Sequence, residues 1–112
     1  MFGLFKKQKA FETIGNAEFA TKLKEDQNAA LLDVRTSGEF RRGYIPGAVN
    51  MDLMGNDFRS RVAALDKTKT YFVYCQSGGR SAQACSILTS EGYKAFNLAG
   101  GIGSWQGEIK RG

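Results

Sequence analysis

Thr70-Tyr71-Phe72-Val73-Tyr74 is an apolar run with no polar alternation, and the chain leaves it through Cys75-Gln76-Ser77-Gly78-Gly79-Arg80-Ser81 straight into a stretch of helical period. A strand of that composition suits a position covered on both faces, which implies a parallel sheet with helices packed against it. Ala29 to Val34 reads the same way, broken only near its end by Asp33. Weaker strands are expected at Phe11–Ile14, Ala48–Met51 and Tyr93–Ala99. Helices are expected between them. One runs from an Asn16 N-cap to about Lys24, with Phe19, Ala20 and Leu23 on one face. Another covers Asn56 to Leu65. A third, Ser81 to Glu91, has the apolar stripe Ala84, Cys85 and Leu88, and Gly92 stops it. A short last helix is expected around Trp105. Strands alternating with helices predict an α/β layer fold with a mostly parallel sheet. Sites in such sheets collect beyond the carboxyl ends of the strands. Cys75 stands at one such end, and Asp33 and Arg35 at another, so the two stretches should meet.

The chain has 112 residues and a formal net charge of +5. That length suits one domain, expected over 11–112, behind a flexible basic leader over 1–10. The lysines cluster only at Lys6, Lys7 and Lys9, and no stretch interleaves basic and aromatic residues, so nucleic acid is not an expected partner. The leader has apolar residues before its charges, unlike a secretory signal, and is too short for stable membrane insertion. The expected compartment is the cytoplasm, where the two cysteines stay reduced. Histidine is absent. Cys-His and Ser-His catalysis are therefore excluded, and two cysteines cannot close a zinc site, so no metal is expected.

A nucleophile without histidine needs another means of activation, and the loop after Cys75 supplies one. Glycines let successive backbone N–H groups turn into one concavity. The helix that follows adds unsatisfied N–H groups and the positive end of its dipole. Together with Arg80 they should favour the thiolate of Cys75 and any anion attached to its sulfur. Gln76, Ser77, Gly78, Gly79, Arg80 and Ser81 are thus the candidate substrate-binding residues. Arg80 has an equally good second role, tying the loop to a neighbouring carboxylate such as Asp33. Asp33 and Arg35 are candidate supporting residues. Cys85 lies on the apolar helix stripe and reads as a packing residue with a raised pKa. Between the two site stretches, Thr36 and Glu39 have capping-box spacing, and Gly43, Pro46 and Gly47 impose a turn that could wall the site.

Asp33-Val34-Arg35, Glu39, Gly43, Ile45-Pro46-Gly47-Ala48, the Cys75 loop ending in Gly78-Gly79-Arg80-Ser81, Gly100-Gly101 and Trp105 recur in an order that resembles a single-domain rhodanese, a sulfurtransferase. The likeness runs from about Ile14 to Gly107. It implies a three-layer rhodanese-like α/β domain whose central, mostly parallel sheet has five strands. It also implies that Cys75 carries sulfane sulfur as a persulfide, with no cofactor. The expected partners are a small anionic sulfur donor, such as thiosulfate or a persulfide, and a thiol, cyanide or sulfur-accepting protein as acceptor. Tyr44 replaces the family's usual histidine before Ile-Pro-Gly, which alters one wall. Two alternatives stand beside this reading: a persulfide relay or binding module for a partner protein, and a phosphatase or arsenate reductase. Phosphatases of this type place five residues between cysteine and arginine. Here four separate Cys75 from Arg80, a smaller cradle that suits one sulfur atom better than a phosphoryl group. Neutral Gln76 and Ser77 predict weak affinity for thiosulfate.

Overall fold

A computed structural model describes residues 10–111; the expected basic leader lies outside these residues apart from Ala10. Five strands form one sheet: β1 (Glu12–Ile14), β2 (Ala29–Asp33), β3 (Val49–Asn50), β4 (Thr70–Tyr74) and β5 (Lys94–Leu98). Their order is β1-β5-β4-β2-β3, and every pairing is parallel. The helices are α1 (Asn16–Glu25), α2 (Ser37–Arg42), α3 (Phe58–Ala63) and α4 (Gly79–Ser90), with a 3-10 turn at Ile102–Ser104.

The apolar runs are continuous because both faces of the sheet are covered. Tyr71, Val73 and Cys75 point to one face and pack with Val62 of α3 and Ala84, Cys85 and Leu88 of α4. Phe72 and Tyr74 point to the other face, where Phe19 of α1 and Ile45 lie. Three layers result. Phe19 meets Phe72 edge to face at 5.4 Å and Trp105 at 6.0 Å, so the chain end is packed under α1. Helix α4 ends as expected: Gly92, at φ +93°, donates to the Thr89 carbonyl, and Tyr93 N–H reaches back to Leu88. That is a Schellman closure, and it starts β5 without slack.

Three local expectations need correction. Asn16 is not the N-cap of α1; Gly15 is, and the Asn16 amide instead donates to Ser104 O and accepts from Gln106 N–H. A long-range tie to the chain end outcompetes the local cap. Ala20 is exposed, so Phe19 and half-buried Leu23 alone form the inner face of α1. The last helix is only the 3-10 turn, and it ends before Trp105.

Candidate active site

Strands β2 and β4 are neighbours, with Asp33 opposite Tyr74. Their carboxyl ends therefore deliver Asp33, Arg35 and Cys75 to one place, as the sequence predicts. Cys75 is 1% exposed and leaves β4 into a tight curl. Gly78, the N-cap of α4, sits at φ +112°, a backbone state that only glycine adopts without strain. The curl brings Gly78 N–H to 3.0 Å from Cys75 Sγ, and the Ser81 hydroxyl to 3.3 Å. Burial opposes the thiolate. Hydrogen bonds from the Ser81 hydroxyl and from the backbone N–H groups of Ser81, Gly78 and Ser77 outweigh it and bring the thiol below its ordinary value. Cys85 has no such donors; burial, with the nearby Cys75 charge, pushes it up to about 12.

Arg80 resolves one open alternative. It does not reach for the sulfur. Its two terminal nitrogens donate to the two Glu39 carboxylate oxygens at 2.8 and 2.9 Å. The partner is Glu39 rather than Asp33. Glu39 is doubly committed, since it also closes the Thr36 capping box of α2. The Arg80 fork holds its carboxyl at about 2 against the opposing effect of burial. Asp33 is taken by Arg35 instead, in a buried pair with Nη2–Oδ2 at 2.6 Å. Arg35 further donates to the Gly43 carbonyl at 2.7 Å and to Gln76 Oε1 at 3.3 Å. One arginine thus links β2, the turn after α2 and the Cys75 loop. Asn50 fastens the backbone of this knot by donating to the carbonyls of Asp33 and Arg35. The Tyr74 hydroxyl accepts from Ile45 N–H at 3.0 Å, and burial beside Asp33 holds its phenol protonated.

The underside of the loop belongs to a segment whose role the sequence does not disclose. Ile102 N–H donates to Cys75 O at 2.9 Å, and Gly103 N–H to Gln76 O at 3.0 Å. This approach requires Gly101: φ is +62°, and a Cβ there would stand 2.5 Å from the Cys75 carbonyl oxygen. The Gly100-Gly101 pair was the available signal, and only the fold shows what it approaches. Asn97 of β5, 3% exposed, lies below the loop and donates to Gly78 O at 3.4 Å. Tyr44 turns out to stack on Phe40 at 4.3 Å, and its backbone pairs with Lys110.

The sequence matches the Rhodanese-like domain family over residues 16–108. The chain belongs to the rhodanese-like family. YtwF of Bacillus subtilis, which bears a provisional sulfurtransferase name, is 37% identical over 97 residues, covering 87% of this chain and 92% of that protein. A sulfurtransferase of Allochromatium vinosum is 33% identical over 93 residues, covering 82% and 85%. Among solved structures, a rhodanese-like domain protein from Staphylococcus aureus superposes with a TM-score of 0.79 at 29% identity, over 91% of this chain and 99% of that one. In this rhodanese-like fold the described residues contain no helix long and apolar enough to cross a membrane.

Proposed function

We propose that the protein is a sulfurtransferase that carries sulfane sulfur on Cys75, and that its donor is a persulfide rather than thiosulfate. Sulfur transfer in general is supported by the family and by relatives with sulfurtransferase names. The observation that carries the finer reading is the Cys75 sulfur itself, ringed by N–H and hydroxyl donors that lower its pKa. The thiolate attacks the outer sulfur of a donor R–S–S⁻. The donor S–S bond breaks, its electron pair leaves with R–S⁻, and a new S–S bond forms on Cys75. An acceptor thiolate, or cyanide in an assay, then attacks the outer sulfur of the Cys75 persulfide and returns the Cys75 thiolate. Atoms and charge balance with no added oxidant. The loop N–H and hydroxyl groups donate to the anionic sulfur and stabilise its charge in each resting form, so no histidine base is required. Reduced thiols are the expected state of the proposed cytoplasmic setting.

The donor preference follows from where the positive charges point. A sulfonate would need a cation near the sulfur. Gln76 and Ser77 are neutral, and both Arg80 terminal nitrogens are engaged by Glu39. The same engagement weighs against a phosphatase, whose arginine must grip the phosphoryl oxygens. Intact-mass spectrometry tests the reading. Incubation with a cysteine persulfide should add one sulfur atom to the parent more readily than thiosulfate does. Cys75→Ser should abolish the addition. Cys85→Ser should keep it, with a stability loss of about 1 kcal/mol for a hydroxyl in a packed site. Loading of Cys75→Ser, or a Cys75–Cys85 disulfide in high yield, would refute a lone sulfur-carrying cysteine.

A further inference from the structure

Past Gln76 the loop opens into a cleft of about 260 Å³ between α2 and the chain end. Arg35, Arg42, Arg111, Glu39 and Gln76 line it, with Ile102 and Ile109 on the apolar side. The charges in this wall are not equivalent. Arg35 is cancelled by Asp33, and Glu39 by Arg80. Arg42 and Arg111 take part in no ion pair among the described residues. Among the described residues the cleft therefore presents two guanidinium groups without a carboxylate partner, above a partly apolar wall.

The two arginines are held near each other by the backbone. Arg42 ends α2, and the next two residues are Gly43 and Tyr44. Tyr44 pairs with Lys110 through N–H···O bonds of 2.9 and 2.8 Å, which fixes Ile109 and Arg111 beside the helix end. Gly43 permits the approach: a Cβ there would meet Ile109 Cγ2 at 3.1 Å and the Arg111 stem at 3.8 Å. Gln76, the residue after Cys75, borders the cleft, and Arg35 holds its side chain at 3.3 Å. Gln76 thus joins the Cys75 loop to the cleft, and a molecule whose sulfur met Cys75 would have the two arginines on the Gln76 side of the loop.

We infer that this cleft binds the anionic end, carboxylate or phosphate, of a small thiol or thiol persulfide, and so selects donors or acceptors that carry an oxyanion several bonds from sulfur. The identity of the occupant as a thiol rests on the proposed sulfur transfer. The cleft also rationalises the donor preference: thiosulfate keeps its charge next to the sulfur, where no uncompensated cation stands among the described residues. A planar guanidinium pair is suited to either oxyanion, since each can accept two parallel hydrogen bonds.

Binding of probes with no transferable sulfur tests the cleft apart from the chemistry. S-methylglutathione supplies carboxylates, S-methyl coenzyme A supplies phosphates, and 2-(methylthio)ethanol is the neutral control. Each is titrated into the whole chain by calorimetry and by NMR shifts of the Gln76 and Gly43 amides. At least one anionic probe should bind the parent, and Arg42→Ala/Arg111→Ala should weaken it by about tenfold or more, with the neutral probe far weaker throughout. Which probe binds identifies the oxyanion. Both arginines are exposed, so the variant should keep the parent's Tm, and the single variants are measured in case the double does not fold. The inference is overturned if neither anionic probe binds the parent, if the arginine variants bind within about threefold of it, or if the neutral probe binds as well. Retained probe binding in a protein that never loads sulfur on Cys75 would sink the sulfur-transfer reading and leave the oxyanion cleft standing.

Discussion

Removing the Glu39 carboxylate should expose what Arg80 does. The pair is bidentate, at 2.8 and 2.9 Å, and its side chains keep 25% and 30% of their exposure. The Glu39 carboxyl falls from 4.5 to about 2. At about 1.4 kcal/mol per unit, that shift sets a ceiling of about 3 kcal/mol on the pair and its capping bonds together. Solvent screening at a partly exposed site and the separate share of the Thr36 cap reduce the ion pair to about 1–2 kcal/mol. Because the folded carboxyl is depressed, this stability is complete above about pH 4.5 and is lost as pH falls toward about 2. Urea unfolding of the parent, Glu39→Gln, Arg80→Gln and the double variant at pH 7 gives the coupling directly, with about 1 kcal/mol expected. The deficit of Glu39→Gln should shrink between pH 4.5 and 2.

The Cys75 thiol then separates two roles for Arg80. If Arg80 positions the loop, Glu39→Gln lowers sulfur loading even though it leaves the Arg80 charge in place, and Arg80→Lys is impaired because a lysine cannot span both oxygens. If Arg80 acts as a free cation on the sulfur, Glu39→Gln should load sulfur as well as the parent or better, with a lower thiol pKa. Iodoacetamide alkylation across pH reads that pKa. A coupling under about 0.3 kcal/mol, or undiminished loading by Glu39→Gln, would refute the positioning role.

Gly101→Ala should cost about 2 kcal/mol or more and impair loading, since its Cβ must drive the 3-10 turn off the Cys75 and Gln76 carbonyls; unchanged Tm and loading would show that the turn yields freely. Asp33→Asn leaves Arg35 buried without its counter-charge, at a cost of about 3 kcal/mol in urea unfolding, and a loss under about 1 kcal/mol would mean the pair contributes little.

The strands were legible because parallel burial on two faces leaves a signature that needs no context. Thr70–Tyr74 is found with the limits expected, and the meeting of Cys75 with Asp33 follows from their places at strand ends. The capping box of α2 was equally visible, since it closes within four residues. What stayed hidden is long-range. Asn16 satisfies the pattern of an N-cap, yet its amide is drawn to Ser104 and Gln106, about ninety positions on. Glu39 is the clearest case: its spacing announces a cap, and nothing local announces a second partner 41 residues away. Arg42 and Arg111 carry no motif at all. Only the Tyr44–Lys110 pairing makes them neighbours.

The distribution of charge around Cys75 has a chemical consequence. Every ionic group that braces the loop is cancelled by a partner, Arg80 by Glu39 and Arg35 by Asp33. The groups that touch the sulfur, Gly78 N–H and the Ser81 hydroxyl, are neutral dipoles. Dipoles at hydrogen-bond range lower the thiol pKa without adding a net cation that would attract every small anion in solution. On the proposed cycle this matters twice. The lowered pKa favours the thiolate for attack, and the same donors stabilise the Cys75 sulfur as a leaving group when the acceptor takes the outer sulfur away. A cation on the sulfur would favour the same thiolate but would also hold sulfite, phosphate or chloride in the mouth. On the proposed oxyanion cleft, keeping positive charge out of the mouth and placing it at Arg42 and Arg111 would move recognition to the far end of the substrate, where it would not compete with the chemistry.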